Sequence, residues 1–340
     1  MNGRSEQHIA VLGAGSWGTA LALVLARNGL RVRLWGHDPA EVQRLRQDGE
    51  NQQFLPGFPF PDGLTVTDSL AEAVAGMHDL LVVVPSHGFH DTMRALKPLI
   101  QADTRILWAT KGLEARSGGL LHTVVEQELP GHAMGVLSGP SFAREVAQAL
   151  PTAVTIASSD DHFAGDMAEA FHNASFRPYT SRDIVGVQLG GAVKNVLAVA
   201  TGIADGLGLG ANTRAGLITR GLAEIVRLGN ALGAEQRTFM GLSGVGDLIL
   251  TCTDDQSRNR RFGLALGRGQ ARDAAIREIG QVVEGVRTAE EVHALARQQG
   301  VEMPICEQVY AVVSQNVDPK DALGQLMARS RKDEFGPEPD

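Results

Sequence analysis

H-I-A-V-L-G-A-G-S-W-G-T-A-L-A-L-V-L-A-R-N-G-L-R-V-R-L-W, residues 8–35, decides the fold. It opens on a short β-rich run at 8–12 and passes through Gly13, Gly15 and Gly18 in G-x-G-x-x-G spacing. A helical pattern follows from Thr19 to Asn28, Gly29 stops it, and residues 31–35 read as the next strand. That strand–turn–helix–strand setting turns a weak glycine pattern into a strong one. Gly13 permits the tight turn, Gly15 lets the backbone approach a pyrophosphate, and Gly18 lets helix and strand pack closely. The pyrophosphate would sit at the helix N-terminus, where free N–H groups and the dipole favour an anion. A glycine-rich turn without a ligand is the rival reading. The uncharged run 9–26 has the length of a signal or anchor, but its interior glycines, Ser16 and Thr19 fit a turn and helix better.

Outward from this unit, the second strand should end in an acid that binds the ribose hydroxyls of NAD. Asp38 has the right spacing, yet Gly36 and His37 come first. A histidine there tolerates or contacts a 2′-phosphate, so NADP or NAD stays open, with NADP the expectation. Residues 51–62, rich in proline and phenylalanine, either cover the adenine or, the favoured reading, pack a sheet edge. Apolar runs at 80–84, 105–109 and 134–137 read as buried parallel strands. They end in Pro85-Ser86-His87, Thr110-Lys111-Gly112 and Ser138-Gly139-Pro140-Ser141, at the carboxyl edge where such sheets bind ligands. Residues 152–157 and 175–179 read as two further strands. The expectation is an α/β fold: a Rossmann-type doubly wound sheet domain over 1–182, then an all-α domain over 183–340.

Composition bounds the partners. The 340 residues carry a net charge of −8, which speaks against general nucleic-acid binding. The polar N-terminus lacks the order of a secretory signal. Cys252 and Cys306 cannot make a disulfide framework, so a reducing cytoplasm is the expected home. No metal site is expected. The tail E-F-G-P-E-P-D is expected to be disordered.

Residues 183–204, D-I-V-G-V-Q-L-G-G-A-V-K-N-V-L-A-V-A-T-G-I-A, predict a helix with Asp183 as N-cap. Apolar all round, it should be buried in the core. Gly190, Gly191, Lys194, Asn195 and Ala198 share a side, and its small residues leave room for a backbone or ligand. A buried ammonium must lose its proton or find an anion. The bland alternatives are a membrane span, a snorkelling lysine and a structural ion pair. A span would place Gln188, Lys194 and Asn195 near the bilayer centre, so none is expected. The functional alternative is a lysine aimed into a cleft, ready to exchange a proton. Asp247, after a glycine-rich turn, could orient Lys194 or merely cap a helix. Ser257-Arg258-Asn259, with Arg260 and Arg261 behind, could hold a phosphate or be a capped, solvated helix start.

Taken together, G-A-G-S-W-G (13–18), V-V-P-S-H (83–87), A-T-K-G-L (109–113), S-G-P-S-F-A-R-E (138–145), L-G-G-A-V-K-N-V (189–196), S-G-V-G-D-L (243–248), T-C-T-D-D-Q-S-R-N-R-R-F-G (251–263) and V-V-E-G (282–285) stand in one chain and one order. The set resembles the bacterial NAD(P)-dependent glycerol-3-phosphate dehydrogenases over nearly the whole chain, with no departure at a motif position. The resemblance implies interconversion of sn-glycerol 3-phosphate and dihydroxyacetone phosphate, which supplies the glycerol phosphate of phospholipids. It implies Lys194 as the catalytic proton donor and acceptor. It implies substrate positions at Lys111, Gly139, Ser141, Lys194, Asp247, Ser257, Arg258 and Asn259. The implied cofactor positions are Ser16, Trp17, His37, Lys111, Ala143, Arg258, Val282 and Glu284, beside the glycines of the loop. Family habit and the exposed helical domain suggest a homodimer. The rivals are a related dehydrogenase of another small hydroxy acid or phosphorylated substrate, and a non-catalytic NAD(H)-binding regulator. The regulator would need a DNA-binding module or basic face, and the acidic sequence shows neither.

Overall fold

The computed structural model describes residues 7–330 and residue 334; the tail read above as disordered lies, but for Glu334, outside the described residues. Its strands are β1 (His8–Leu12), β2 (Arg31–Trp35), β3 (Glu50–Asn51), β4 (Leu55–Pro59), β5 (Leu64–Thr67), β6 (Asp79–Val82), β7 (Arg105–Trp108), β8 (Met134–Ser138), β9 (Thr152–Ser158) and β10 (Phe176–Ser181). Between them run α1 (Ser16–Arg27), α2 (Pro39–Asp48), α3 (Leu70–Val74), α4 (Ser86–Leu96), α5 (Leu121–Glu128), α6 (Ala143–Ala147) and α7 (Asp161–Phe171). After β10 the described elements are helical: α8 (Ile184–Gly206), α9 (Gly210–Ala231), α10 (Gln236–Phe239), a π-turn (Leu242–Gly246), α11 (Asp247–Thr253), α12 (Arg258–Gly267), α13 (Arg272–Ile279), α14 (Glu284–Gln298), α15 (Pro304–Gln315) and α16 (Pro319–Met327).

The sheet runs β10-β9-β8-β7-β6-β1-β2-β5. From β5 to β8 every pairing is parallel, as the apolar runs predict. β9 returns antiparallel to β8, and β10 lies parallel to β9. The link from β8 to β9 contains only the short α6, which is tied to α1 by the Arg27 Nη1 bond to the Ala147 carbonyl at 2.6 Å. It makes no full crossover, and a parallel return needs one. The chain order reverses around β1, which puts the glycine loop at the topological switch point.

α8 is the axis of the helical half and is buried almost throughout. Asp183 caps it as expected, accepting from the Gly186 N–H at 2.8 Å. Its other oxygen accepts from Glu235 N and Thr238 Oγ1, at 2.9 and 2.6 Å. α8 passes for a membrane span by length and composition, but helices and sheet cover it. α12 crosses it backbone to backbone. A Cβ on Gly202 would lie 2.2 Å from the Arg260 carbonyl oxygen, and one on Gly263 would lie 2.1 Å from that of Val199. One turn on, Gly206 and Gly267 meet Leu264 and Ile203 carbonyls the same way, at 2.5 and 2.3 Å. Only glycine at these four positions allows that distance.

The segment 235–250 reads as one broken helix; it is α10, the π-turn and α11. Gly244 leaves helical geometry with φ −99° and ψ −107°.

Candidate functional site

The loop after β1 is built from backbone. Gly13 has φ 125°, and a Cβ there would stand 2.7 Å from the Val83 carbonyl oxygen. A Cβ on Gly18 would stand 1.8 Å from the Gly13 oxygen, while Gly15 has nothing within 4 Å. α1 starts at Ser16 without a side-chain cap and without an acid in its first turn. Its first N–H groups therefore face open space beside Gly15, the arrangement that binds a pyrophosphate. The buried indole nitrogen of Trp17 has no hydrogen-bond partner among the described residues. The open glycine, bare helix start and unpartnered indole N–H fit a dinucleotide. Buried Asn51 braces the loop, donating to the Ala14 carbonyl and to Thr19 Oγ1, both at 2.8 Å. Sequence reasoning missed it, since its stretch read as adenine cover or edge packing.

At the end of β2, Gly36 has no room for a side chain: a Cβ would meet Val42 at 2.8 Å. Asp38 is the N-cap of α2 and accepts from Ala40 N at 2.9 Å. His37 is exposed between them, close enough to Glu41 to oppose the upward shift that burial gives that carboxyl.

A second centre lies where the sheet edge meets α8. Lys194 Nζ donates to Asp247 Oδ1 at 2.5 Å and to Thr251 Oγ1 at 2.9 Å. Lys111 Nζ donates to the other carboxylate oxygen at 2.8 Å and to the Gly139 carbonyl at 3.2 Å. One buried carboxylate thus joins a lysine of the helical half to a lysine at the end of β7. The Asp247 side chain caps no helix; it sits between the ammonium groups. Burial lowers the Lys194 pKa to about 8, with Lys111 adding to the fall and Asp247 opposing it. Burial would raise the Asp247 carboxyl, but the two lysines hold it below its ordinary value. The small residues on this side of α8 do leave room: Gly190 would meet the Ser243 backbone at 2.3 Å, and Gly191 would meet Ser138 Oγ at 2.7 Å. Ser141 Oγ donates to the Gly139 carbonyl at 2.9 Å, and Ala143 opens α6 beside it. Below the centre, burial raises the Cys252 thiol to about 12, which leaves it inert.

Ser257 is the N-cap of α12, accepting from Arg260 N at 3.2 Å; its hydroxyl donates to no partner among the described residues. Arg258 reaches Gln281 Oε1 at 3.2 Å. Asn259 accepts from Gly285 N at 2.8 Å, and Asn195 donates to Glu284 Oε2 at 3.1 Å. The start of α12 is therefore stitched to the start of α14, beside exposed Val282. Arg260 departs from the basic cluster read in the sequence. It is buried and pairs with Asp205 at 2.8 Å and Asp255 at 3.3 Å. Gln256 Nε2 bridges to Glu145 Oε1 at 2.7 Å, joining this segment to α6.

A bare-backbone anion loop and a lysine of lowered pKa at the carboxyl edge of one sheet define a Rossmann-type dehydrogenase. Two family models match, described as the N-terminus and C-terminus of NAD-dependent glycerol-3-phosphate dehydrogenase, over residues 8–164 and 183–324. The chain is 56% identical over 328 residues to glycerol-3-phosphate dehydrogenase [NAD(P)+] of Tolumonas auensis, covering 96% of this chain and 98% of that one. It is 56% identical over 329 residues to the same-named protein of Serratia marcescens, covering 96% and 97%. The crystal structure of glycerol-3-phosphate dehydrogenase from Coxiella burnetii matches with TM-score 0.93 and 51% identity, covering 96% of this chain and 100% of that one. The chain belongs to the NAD-dependent glycerol-3-phosphate dehydrogenases, oxidoreductases that act on a CH–OH group with NAD(P). The regulator reading falls with this result.

Proposed function

We propose that the chain reduces dihydroxyacetone phosphate to sn-glycerol 3-phosphate, and that Lys194 supplies the proton. The observation that carries this is the Lys194–Asp247–Lys111 arrangement, with its buried lysine of pKa about 8. When bound, the nicotinamide cofactor supplies the hydride. The Lys194 ammonium donates to the ketone oxygen and gives up its proton as charge develops there. Asp247 stays ionised throughout and keeps the lysine aimed. In the reverse direction the neutral amine takes the alcohol proton.

Lys111, with Gly139 and Ser141, lines the carboxyl edge of the sheet on the substrate side. Ser257, Arg258 and Asn259 receive the phosphate: a guanidinium, a hydroxyl proton and the N-terminus of α12 suit a dianion. Gly13, Gly15, Ser16, Trp17 and Gly18 would hold the cofactor at its pyrophosphate. His37 would read the adenosine end, and Lys111, Ala143, Arg258, Val282 and Glu284 complete the proposed cofactor positions. Asp38 is already engaged as a helix cap, and His37 is exposed, which supports NADP use.

We read residues 1–182 as the cofactor domain and 183–340 as the substrate domain, because the last strand ends at Ser181. The product would feed phospholipid synthesis in the cytoplasm, a setting in keeping with two free, buried cysteines. We further propose a homodimer through the helical half, which light scattering reads directly. The deciding experiment follows NADPH and NADH absorbance with dihydroxyacetone phosphate. Oxidation that requires the ketone supports the reading, and none with either cofactor would end it.

A further inference from the structure

The segment 112–120 leaves the sheet half directly after Lys111 and ends inside the helical half. Leu113 and Leu120 are buried in the helical core. Gly112 makes the departure, with φ 125° and a Cβ position 3.1 Å from the Ser86 side chain. Glu114 then folds the segment on itself. One carboxylate oxygen accepts from Arg116 N and Ser117 N, at 2.9 and 2.5 Å. The other meets His90 Nδ1 at 3.4 Å, and His90 Nε2 meets Glu128 at 3.0 Å.

α14 grips this segment from the opposite side. Glu291 is buried against the segment, its own carbonyl oxygen 3.8 Å from where a Cβ on Gly118 would lie. Arg287 donates to Glu291 Oε1 at 2.9 Å and to the Ala115 carbonyl at 3.3 Å. Oε2 of Glu291 is buried without a hydrogen-bond partner among the described residues. Burial raises this carboxyl; Arg287 and the Leu113 N–H work against the rise, and Glu114 adds to it. For packing alone an apolar residue would serve better, since a half-satisfied buried carboxylate costs stability.

We propose that Glu291 is a positioning residue for the reaction: by bracing, together with Arg287, the segment that follows Lys111 from the helical half, it fixes Lys111 against Asp247. The pH part of the test rests on the assignment of Lys194 as proton donor. Lys194 faces Asp247, Lys111 and Thr251, with Cys252 nearby. If Lys111 drifts away, Lys194 loses a repelling charge and has Asp247 to itself, so its pKa rises.

The test compares full-length wild type with Glu291→Ala, the milder Arg287→Ala, and Lys111→Met. Melting temperature and the pH profile of ketone reduction are measured on the same preparations. Glu291→Ala should lower kcat by up to about 10²-fold, the size of effect a small misplacement produces. Its fall in rate with rising pH should move to higher pH, as in Lys111→Met, and Arg287→Ala should move it partway. A structural role alone gives earlier melting with an unmoved profile and wild-type kcat per folded molecule; that result overturns the proposal. If Glu291→Ala does not fold, Arg287→Ala decides by the same criterion. A double-mutant cycle on kcat between positions 111 and 291 does not depend on Lys194. Losses that fail to add support the positioning role, and additive losses overturn it. A wild-type profile flat near pH 8 would remove the Lys194 assignment and leave this cycle to decide.

Discussion

The glycine loop and the lysine centre lie at the same edge of the sheet and are made in opposite ways. The loop works with main chain: three glycines, open space at Gly15, and N–H groups left bare at the start of α1. The centre works with side chains: buried Lys194 and Asp247 and half-buried Lys111, each held by another. The loop is local, complete within six residues. The centre joins positions 53 and 136 residues apart. A main-chain site should fail by steric filling, whereas a side-chain site should fail by loss of charge.

The largest expected effect separates them at once. Lys194→Met should lower kcat by about two to four orders of magnitude, the usual size of acid–base catalysis, and leave NADPH affinity intact. Asp247 keeps Lys111 as a partner, so the protein should fold. Normal turnover per folded molecule would remove the lysine from the chemistry. Gly15→Val tests the loop. A Cβ at Gly15 has no protein atom within 4 Å, so melting should hardly change. NADPH affinity by fluorescence titration should fall on the order of a hundredfold, about 2.8 kcal/mol. Retained affinity would break the main-chain account.

Arg258→Ala sharpens the side-chain half. A hydrogen bond to a charged group contributes about 1.5–3 kcal/mol, so KM for dihydroxyacetone phosphate should rise roughly ten- to a hundredfold. An unchanged KM would put the phosphate elsewhere. The pH profile has a defined sign. Reduction needs the protonated lysine, so kcat/KM should fall about tenfold per unit as pH rises past about 8. Oxidation needs the neutral amine and should rise over the same range. The same slope in both directions would exclude Lys194 as the titrating group. The smallest effect is at the far end of the cofactor. His37→Asp should move the NADPH-to-NADH ratio of kcat/KM toward NADH by about 1 kcal/mol, roughly fivefold for an exposed charge.

Legibility in the sequence followed the same division. The glycine loop and strands β1 and β2 can be read because their signals are contiguous. β5 escapes, being only four residues of ordinary alternation, and the β3–β4 hairpin is hidden by Pro56 and Pro59. The reversal at β9 cannot be read from an apolar run, because direction is set by the short link before it. In the centre, Lys194 draws notice by being a charge in an apolar helix. Its contact with Asp247 was open to argument and that of Asp247 with Lys111 was not visible, since both depend on how the two halves dock. Asn51 and Glu291 gave no signal of their own.

The glycine crossing of α8 and α12 has one more consequence. α8 carries Lys194, and α12 begins at Arg258. Because Gly202, Gly206, Gly263 and Gly267 bring the two backbones together with no side chain between them, the crossing sets the span from proton donor to guanidinium. It is a ruler laid across the substrate. Alanine at Gly206 or Gly267 would push the helices apart and lengthen it. On the proposed assignment, such a change would alter which chain length of phosphorylated ketone is accepted without touching a residue that contacts it.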